Sequence, residues 1–345
     1  MTELTVADMR NSVREDRVHT VASFGFTERQ ARFLVNVLVF SGVFLERQYC
    51  AFAGIVHGQK THNFLARLVS RGYATVISPG ALHRGRLFHV QYKPLYEAIG
   101  EENNRNRKPA SLGRMVERLM ILDAVLADTH CTWLGTENDK LQHFIYGVLH
   151  SDLRKIDYPH LTFGDGDRKT MRYFPDKLPI GAERDFGRRH VFLYLVTREV
   201  PVEFRAFLHR HSELLRALPE WTIRLLIPRR FKKAASLYRY AVRDELATPL
   251  SPTAVEELEW FFPARERNAE TVSPPFGLDL ESAAKKYGAA RFQALHRAWQ
   301  REGMPALWRA QSRVLEDRLR EGRGRVEFVE LSHQYLQLTS LVGVS

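Results

Sequence analysis

Five consecutive residues, Gln59, Lys60, Thr61, His62 and Asn63, place two amides, an ammonium, a hydroxyl and an imidazole within about one and a half helical turns. Amides pair bidentately with base edges, and cations and hydroxyls bind phosphate oxygens, so this set has the chemistry of nucleic-acid contact. Further on, His83-Arg84-Gly85-Arg86 makes a basic tip whose Arg84 and Arg86 suit a phosphate backbone or a minor groove. Arg47 and Arg67 add to the same charge. From Arg47 to Tyr96 there are seven Lys or Arg and no Asp or Glu. The competing reading is a solvated basic face on a fold that binds other proteins.

The elements that must position these residues can be traced from Thr27, which reads as an N-cap, with Gln30 completing a capping box. Phe33, Leu34, Val37, Leu38 and Phe40 follow at helical spacing up to Ser41-Gly42. A short second helix spans Arg47 to Ile55, and a third, Lys60 to Arg71, is polar on its leading turn and apolar at Phe64, Leu65 and Leu68. Two β-prone runs, Tyr73 to Ile77 and Arg86 to Tyr92, flank the basic tip. Helix, short helix, polar-fronted helix and basic hairpin is the order of a winged helix-turn-helix, expected over residues 20–100. The stretch from Thr27-Glu28-Arg29-Gln30 to Leu68-Val69-Ser70-Arg71-Gly72-Tyr73 resembles the opening domain of the replication-relaxation-type family of mobile elements. That resemblance implies double-stranded DNA as partner, and a regulator or plasmid-replication and maintenance factor as role. Paired half-sites imply a homodimer.

Gly100 to Ser111 is polar and ends near a proline, so it reads as a domain boundary, with a central α/β domain expected over 111–245. Leu112 to Asp128 reads as a core helix, and Thr136 caps another running to about Val148. Strand-like His190 to Val196, a helix over Val202 to Leu218 and strand-like Trp221 to Ile227 follow Pro175-Asp176. This order resembles the restriction-endonuclease-like core, which implies a magnesium ion held by paired acids, with Asp176 as the first. Tyr194 and Val196 stand where the second acid belongs, leaving Glu183 or Glu199 as substitutes from neighbouring positions. A magnesium-dependent nuclease is therefore the alternative to a non-catalytic DNA-contacting or dimerising module using Arg224, Arg229, Arg230, Lys232 and Lys233. Asp165 and Asp167 read as a hairpin turn rather than a calcium loop. His209 and His211 read as exposed helix residues, and His57 and His62 as flanking the recognition helix.

Pro249, Pro252, Pro263, Pro274 and Pro275, flanking an acidic helix at Glu256-Glu257-Leu258-Glu259, suggest a mobile connector or extended arm rather than a core element, opening a C-terminal part, 246–345. A helical hairpin, Leu278 to Gly303 and Pro305 to Glu321, and a terminal strand within Arg325 to Val342 complete it. The whole is expected to be an α+β multidomain protein. The net charge of +11 is concentrated in two segments, since Arg188 to Tyr240 holds twelve basic and four acidic residues. No apolar run approaches the roughly 18 residues of a membrane span, and the first residues lack the apolar core of a secretory signal. Two cysteines, Cys50 and Cys131, give no disulfide framework, so a cytoplasmic, nucleoid-associated protein is expected. Phosphate-loop, dinucleotide, nucleophile-elbow and zinc-protease motifs do not occur, and no small-molecule cofactor is evident.

Overall fold

Thr27 closes an extended segment and starts α2 (Glu28–Phe40): its hydroxyl accepts the Gln30 N–H at 3.4 Å while the Gln30 side chain accepts the Thr27 N–H at 3.1 Å. The computed structural model describes residues 15–77, 86–149, 153–164, 170–183, 188–267, 277–333 and 335. Ahead of α2, residues 15–22 form α1, a helix absent from the sequence reading; Val18 and Val21, three apart, are buried on its inner side. The helix α2 ends where Gly42 takes φ +73°, a left-handed turn in which a Cβ would stand 2.3 Å from the Asn106 carbonyl oxygen.

The chain then runs through β1 (Val43–Leu45), α3 (Glu46–Ala53), α4 (Gln59–Ser70), β2 (Ala74–Ile77) and β3 (Leu87–Val90). The three strands pair antiparallel in the order β1-β3-β2, with Val43 opposite His89 and Ala74 opposite Val90. Aromatic rings fill the space between helices and sheet: Phe33 lies 5.2 Å from Phe44 and Tyr49 lies 4.3 Å from Phe64, centroid to centroid.

A short α5 (Lys93–Glu97) precedes the polar segment expected as a boundary. The structure corrects that expectation. Asn106 is buried, and its amide donates to the Leu38 and Val39 carbonyls at 3.1 and 2.9 Å, satisfying the end of α2. Beyond it, α6 (Leu112–Ala127) packs Leu122 and Leu126 into the same core. Polar residues that look like a linker here serve as an inward-facing cap.

The first of two compact units comprises Met1–Val148, Pro179–Gly187 and Leu331–Ser345, so residues 111–148 group with the N-terminal segment. It also holds an antiparallel pair, β4 (Cys131–Leu134) and β7 (Ile180–Glu183), and α7 (Glu137–His143), capped by Thr136 and continued by a π-helical turn, Phe144–Val148.

The second unit comprises Leu149–Leu178 and Arg188–Glu330. A hairpin of β5 (His160–Phe163) and β6 (Thr170–Tyr173) flanks the expected turn, whose Asp165 and Asp167 lie outside the described residues. Three strands, β8 (Arg189–Leu195), β9 (Glu220–Ile227) and β10 (Gly324–Glu330), run parallel in the order β10-β9-β8. The helix α8 (Val202–Ala217) makes the crossover from β8 to β9 and buries Phe204, Phe207 and Leu208. The strand expected near the end of the chain is therefore an edge of this sheet.

The proline-rich stretch folds into α10 (Pro252–Arg267), correcting the mobile connector. Pro252 sits at the helix start, where a missing N–H costs nothing, and Leu258, Phe261 and Phe262 are buried against Leu295 and Leu307. Before α10 lies α9 (Ala235–Leu246), and after 278 the described residues form α11 (Leu280–Lys286), α12 (Ala290–Glu302), α13 (Met304–Gln311) and α14 (Val314–Arg320), four helices where a hairpin of two was expected. The chain is an α+β protein with both parallel and antiparallel pairing. Among the described residues no helix is long and apolar enough to cross a membrane.

Candidate nucleic-acid interface

The helix α4 divides cleanly by face. Thr61, Phe64, Leu65 and Leu68, at spacings of three and four, are buried. Gln59, Lys60, His62, Asn63, Ala66, Val69 and Ser70 are exposed on the opposite side. Gln59 donates to the Asn63 side-chain oxygen at 2.7 Å, so the two amides are held together one turn apart. Thr61 is the exception to the expected polar set: it is fully buried, its hydroxyl 3.5 Å from the Cys50 sulfur, and cannot reach a ligand. Ala66, Val69 and Ser70 were missed, although their spacing from Gln59 and Asn63 puts them on the same stripe.

Glu46, buried at the start of α3, stands 2.6 Å from His57 Nε2 in the turn before α4 and 3.9 Å from Arg86, the residue before β3. One buried carboxylate thus lies beside both the turn before α4 and the base of the β2–β3 pair. Arg86 remains exposed, its guanidinium carbon 5.6 Å from the Phe88 ring centroid. Arg84 lies outside the described residues.

Two expected cations are drawn inward. Arg47 pairs with Asp123 at 2.7 Å and donates to the Tyr335 hydroxyl, which in turn donates to Asp123. Arg67 donates to the Gly25 carbonyl at 2.6 Å, and Arg71 to Phe24 at 2.8 Å, so both pin the turn after α1 onto α4. These bonds recruit two arginines as braces of the fold; Lys60, His62 and Arg86 form the outward set.

In the second unit Asp176 is the partner of Arg210, which donates to both its oxygens, one at 3.4 Å. Tyr194, at the position expected for a second acid, is buried, and burial raises its hydroxyl pKa well above the ordinary value, with Tyr238 and Asp176 adding to the shift. Val196 is buried as well. A magnesium ion needs free carboxylate oxygens, and Asp176 offers its oxygens to a guanidinium that already neutralises them. These residues do not fit the ion, and no step is derived through it. Among the described residues no three His, Cys, Asp or Glu side chains converge on one point.

His209 and His211 are not the exposed residues expected. His211 is buried with its ring 4.1 Å from Phe207, and His209 lies 3.1 Å from Glu245. Arg229, Arg230 and Lys233 are exposed just past β9, whereas Lys232 pairs with Glu330 at 2.9 Å and Arg224 with Glu327 at 2.8 Å. Comparison of the chain with known protein families, curated proteins and solved structures gives no match.

Proposed function

We propose that the first unit is a winged helix-turn-helix that binds double-stranded DNA, with α4 in the major groove and the β2–β3 pair as the wing. The observation that carries this reading is the exposed stripe of α4: amides, a cation and an imidazole with no carboxylate, on a helix braced from behind. Gln59 and Asn63 suit adenine edges, Lys60 a phosphate or guanine, and exposed Val69 a thymine methyl. The role we infer is regulation, replication or maintenance of a mobile genetic element, in the cytoplasm at the nucleoid, with two copies on paired half-sites. The β8–α8–β9 core of the second unit we read as a restriction-endonuclease-like fold put to a non-catalytic use.

The test is fluorescence anisotropy of the full chain on random-sequence duplex DNA across a salt series, with magnesium present and the products run on a gel. Affinity is expected to fall steeply with salt. Lys60→Ala should weaken binding about tenfold and lower the salt slope by about one, whereas Asn63→Ala should relax sequence preference. Salt-independent binding, or none, removes the reading; cleavage abolished by Asp176→Ala would replace it with a nuclease.

A further inference from the structure

The parallel strands β8, β9 and β10 present their carboxyl ends on one edge of the sheet, the edge at which open α/β sheets take their ligands. The chain leaves β8 through exposed Arg198 and leaves β9 through a 3-10 turn, Arg229–Ala234, that carries exposed Arg230 and Lys233. That turn runs directly into α9. Tyr238 and Ala241 are buried on the inner side of α9, and the Tyr238 hydroxyl donates to the Arg198 carbonyl at 2.9 Å, joining the two exits. The outer side therefore extends the basic edge as a stripe along the helix.

From Arg229 to Arg243 the sequence holds six Lys or Arg and no Asp or Glu. The charge is interleaved with apolar surface that no fold requirement explains. Tyr240 is 54% exposed and Leu237 is 45% exposed, and Arg243 lies with its guanidinium carbon 4.9 Å from the Tyr240 ring centroid. An exposed ring beside a planar cation, flanked by further cations, is the arrangement on which an unpaired base stacks while its phosphates are neutralised. A duplex hides its base faces and would gain nothing from Tyr240.

We propose that this surface of the second unit binds single-stranded DNA, with bases stacked at Tyr240 and Arg243 and the backbone tracked by Arg198, Arg230, Lys233 and Arg239. Oligothymidylate carries no 2′-hydroxyl, so oligouridylate in the same assay separates an RNA ligand from the DNA to which the proposal commits. This surface lies in a different unit from α4 and stands or falls independently of the duplex reading.

The full chain is titrated into a labelled oligothymidylate, and separately into a labelled duplex, by fluorescence anisotropy. The expected result is salt-sensitive binding of oligothymidylate that Tyr240→Ala and Arg243→Ala each weaken about tenfold, with duplex affinity unchanged. Tyr240→Phe should retain binding, because the stacking ring is kept, and ultraviolet crosslinking should map to Tyr240. Lys60→Ala should affect the duplex alone. Circular dichroism of each variant confirms the fold, which these exposed positions leave intact. Unchanged oligothymidylate affinity in both alanine variants overturns the proposal. So do equal losses on both probes, loss of oligothymidylate binding in Lys60→Ala, and tighter binding of oligouridylate.

Discussion

His89 is a polar side chain that the fold keeps neutral. It sits on β3 only 3% exposed, with Nε2 3.0 Å from the Asn106 carbonyl. Burial lowers its pKa from the ordinary 6.5; the bond to Asn106 opposes that shift, and the Arg118 charge adds to it. The unfolded chain therefore takes up more protons than the native one as pH falls through about 6.5, and the stability His89 contributes is complete above that pH and lost below it. In His89→Gln the fall in unfolding free energy between about pH 7.5 and about pH 5.5 should be smaller than in the wild type, as measured by urea denaturation; an identical fall would refute the assignment. At this scale the sequence was partly legible. The residue types of the α4 stripe could be read directly, and the burial of Thr61 was available from its spacing to Phe64, Leu65 and Leu68. The inward turn of Arg47 was not, since its partner Asp123 lies 76 residues away.

Helices in the first unit are joined by few but well-buried polar contacts. Arg17 on α1 reaches Asp139 on α7 through two hydrogen bonds of 2.9 and 3.2 Å, with side-chain exposures of 16% and 13%. Burial alone would raise the Asp139 pKa; the Arg17 charge and bonds and the Thr136 cap outweigh it and hold the carboxyl below its usual 3.8. Its contribution is thus present above about pH 4 and lost as pH falls through the depressed folded value. Removing the guanidinium leaves a desolvated carboxylate, so Arg17→Ala should cost about 3 kcal/mol in urea denaturation at neutral pH, with Arg17→Lys recovering part. A cost under about 0.5 kcal/mol would show the pair to be incidental. Element boundaries were legible wherever a side chain caps a helix, as at Thr27 and Thr136. They failed at α1, whose apolar side is only Val18, Val21 and the small Ala22 in the described turns, and at the extent of α10, which runs from Pro252 through Pro263 and is anchored as core by buried Phe261 and Phe262 rather than being a short helix in a mobile connector.

On the scale of the molecule, neither unit is a continuous stretch of chain. After β10 the chain contributes Tyr335 to the first unit, where its hydroxyl meets Asp123, Arg47 and, at 3.3 Å, Gln48. Burial and the neighbouring Asp123 raise the Tyr335 pKa, so the hydroxyl keeps its proton and serves as donor to Asp123. Tyr335→Phe should lower stability by about 1–2 kcal/mol and leave the duplex binding proposed for Lys60 unchanged, as read by urea denaturation and anisotropy. No loss of stability would remove Tyr335 from the set that holds the first unit together. The division at residues 100–111 could not be read correctly because linker and cap share a polar composition, and only the distance from Asn106 to the end of α2 tells them apart.

The parallel seam between β9 and β10 has a consequence for how the protein is made. Arg224 and Glu327, which pair across that seam, are 103 residues apart in the chain. While a ribosome delivers the helices between them, the outer edge of β9 has no strand to meet, and its unpaired amides and carbonyls are a template for any other extended chain. Closing so large a loop before its contacts form is slow, and the six helices among the described residues must condense without covering the place reserved for β10. The nascent second unit is thus exposed to wrong partners for as long as its last strand is still being translated.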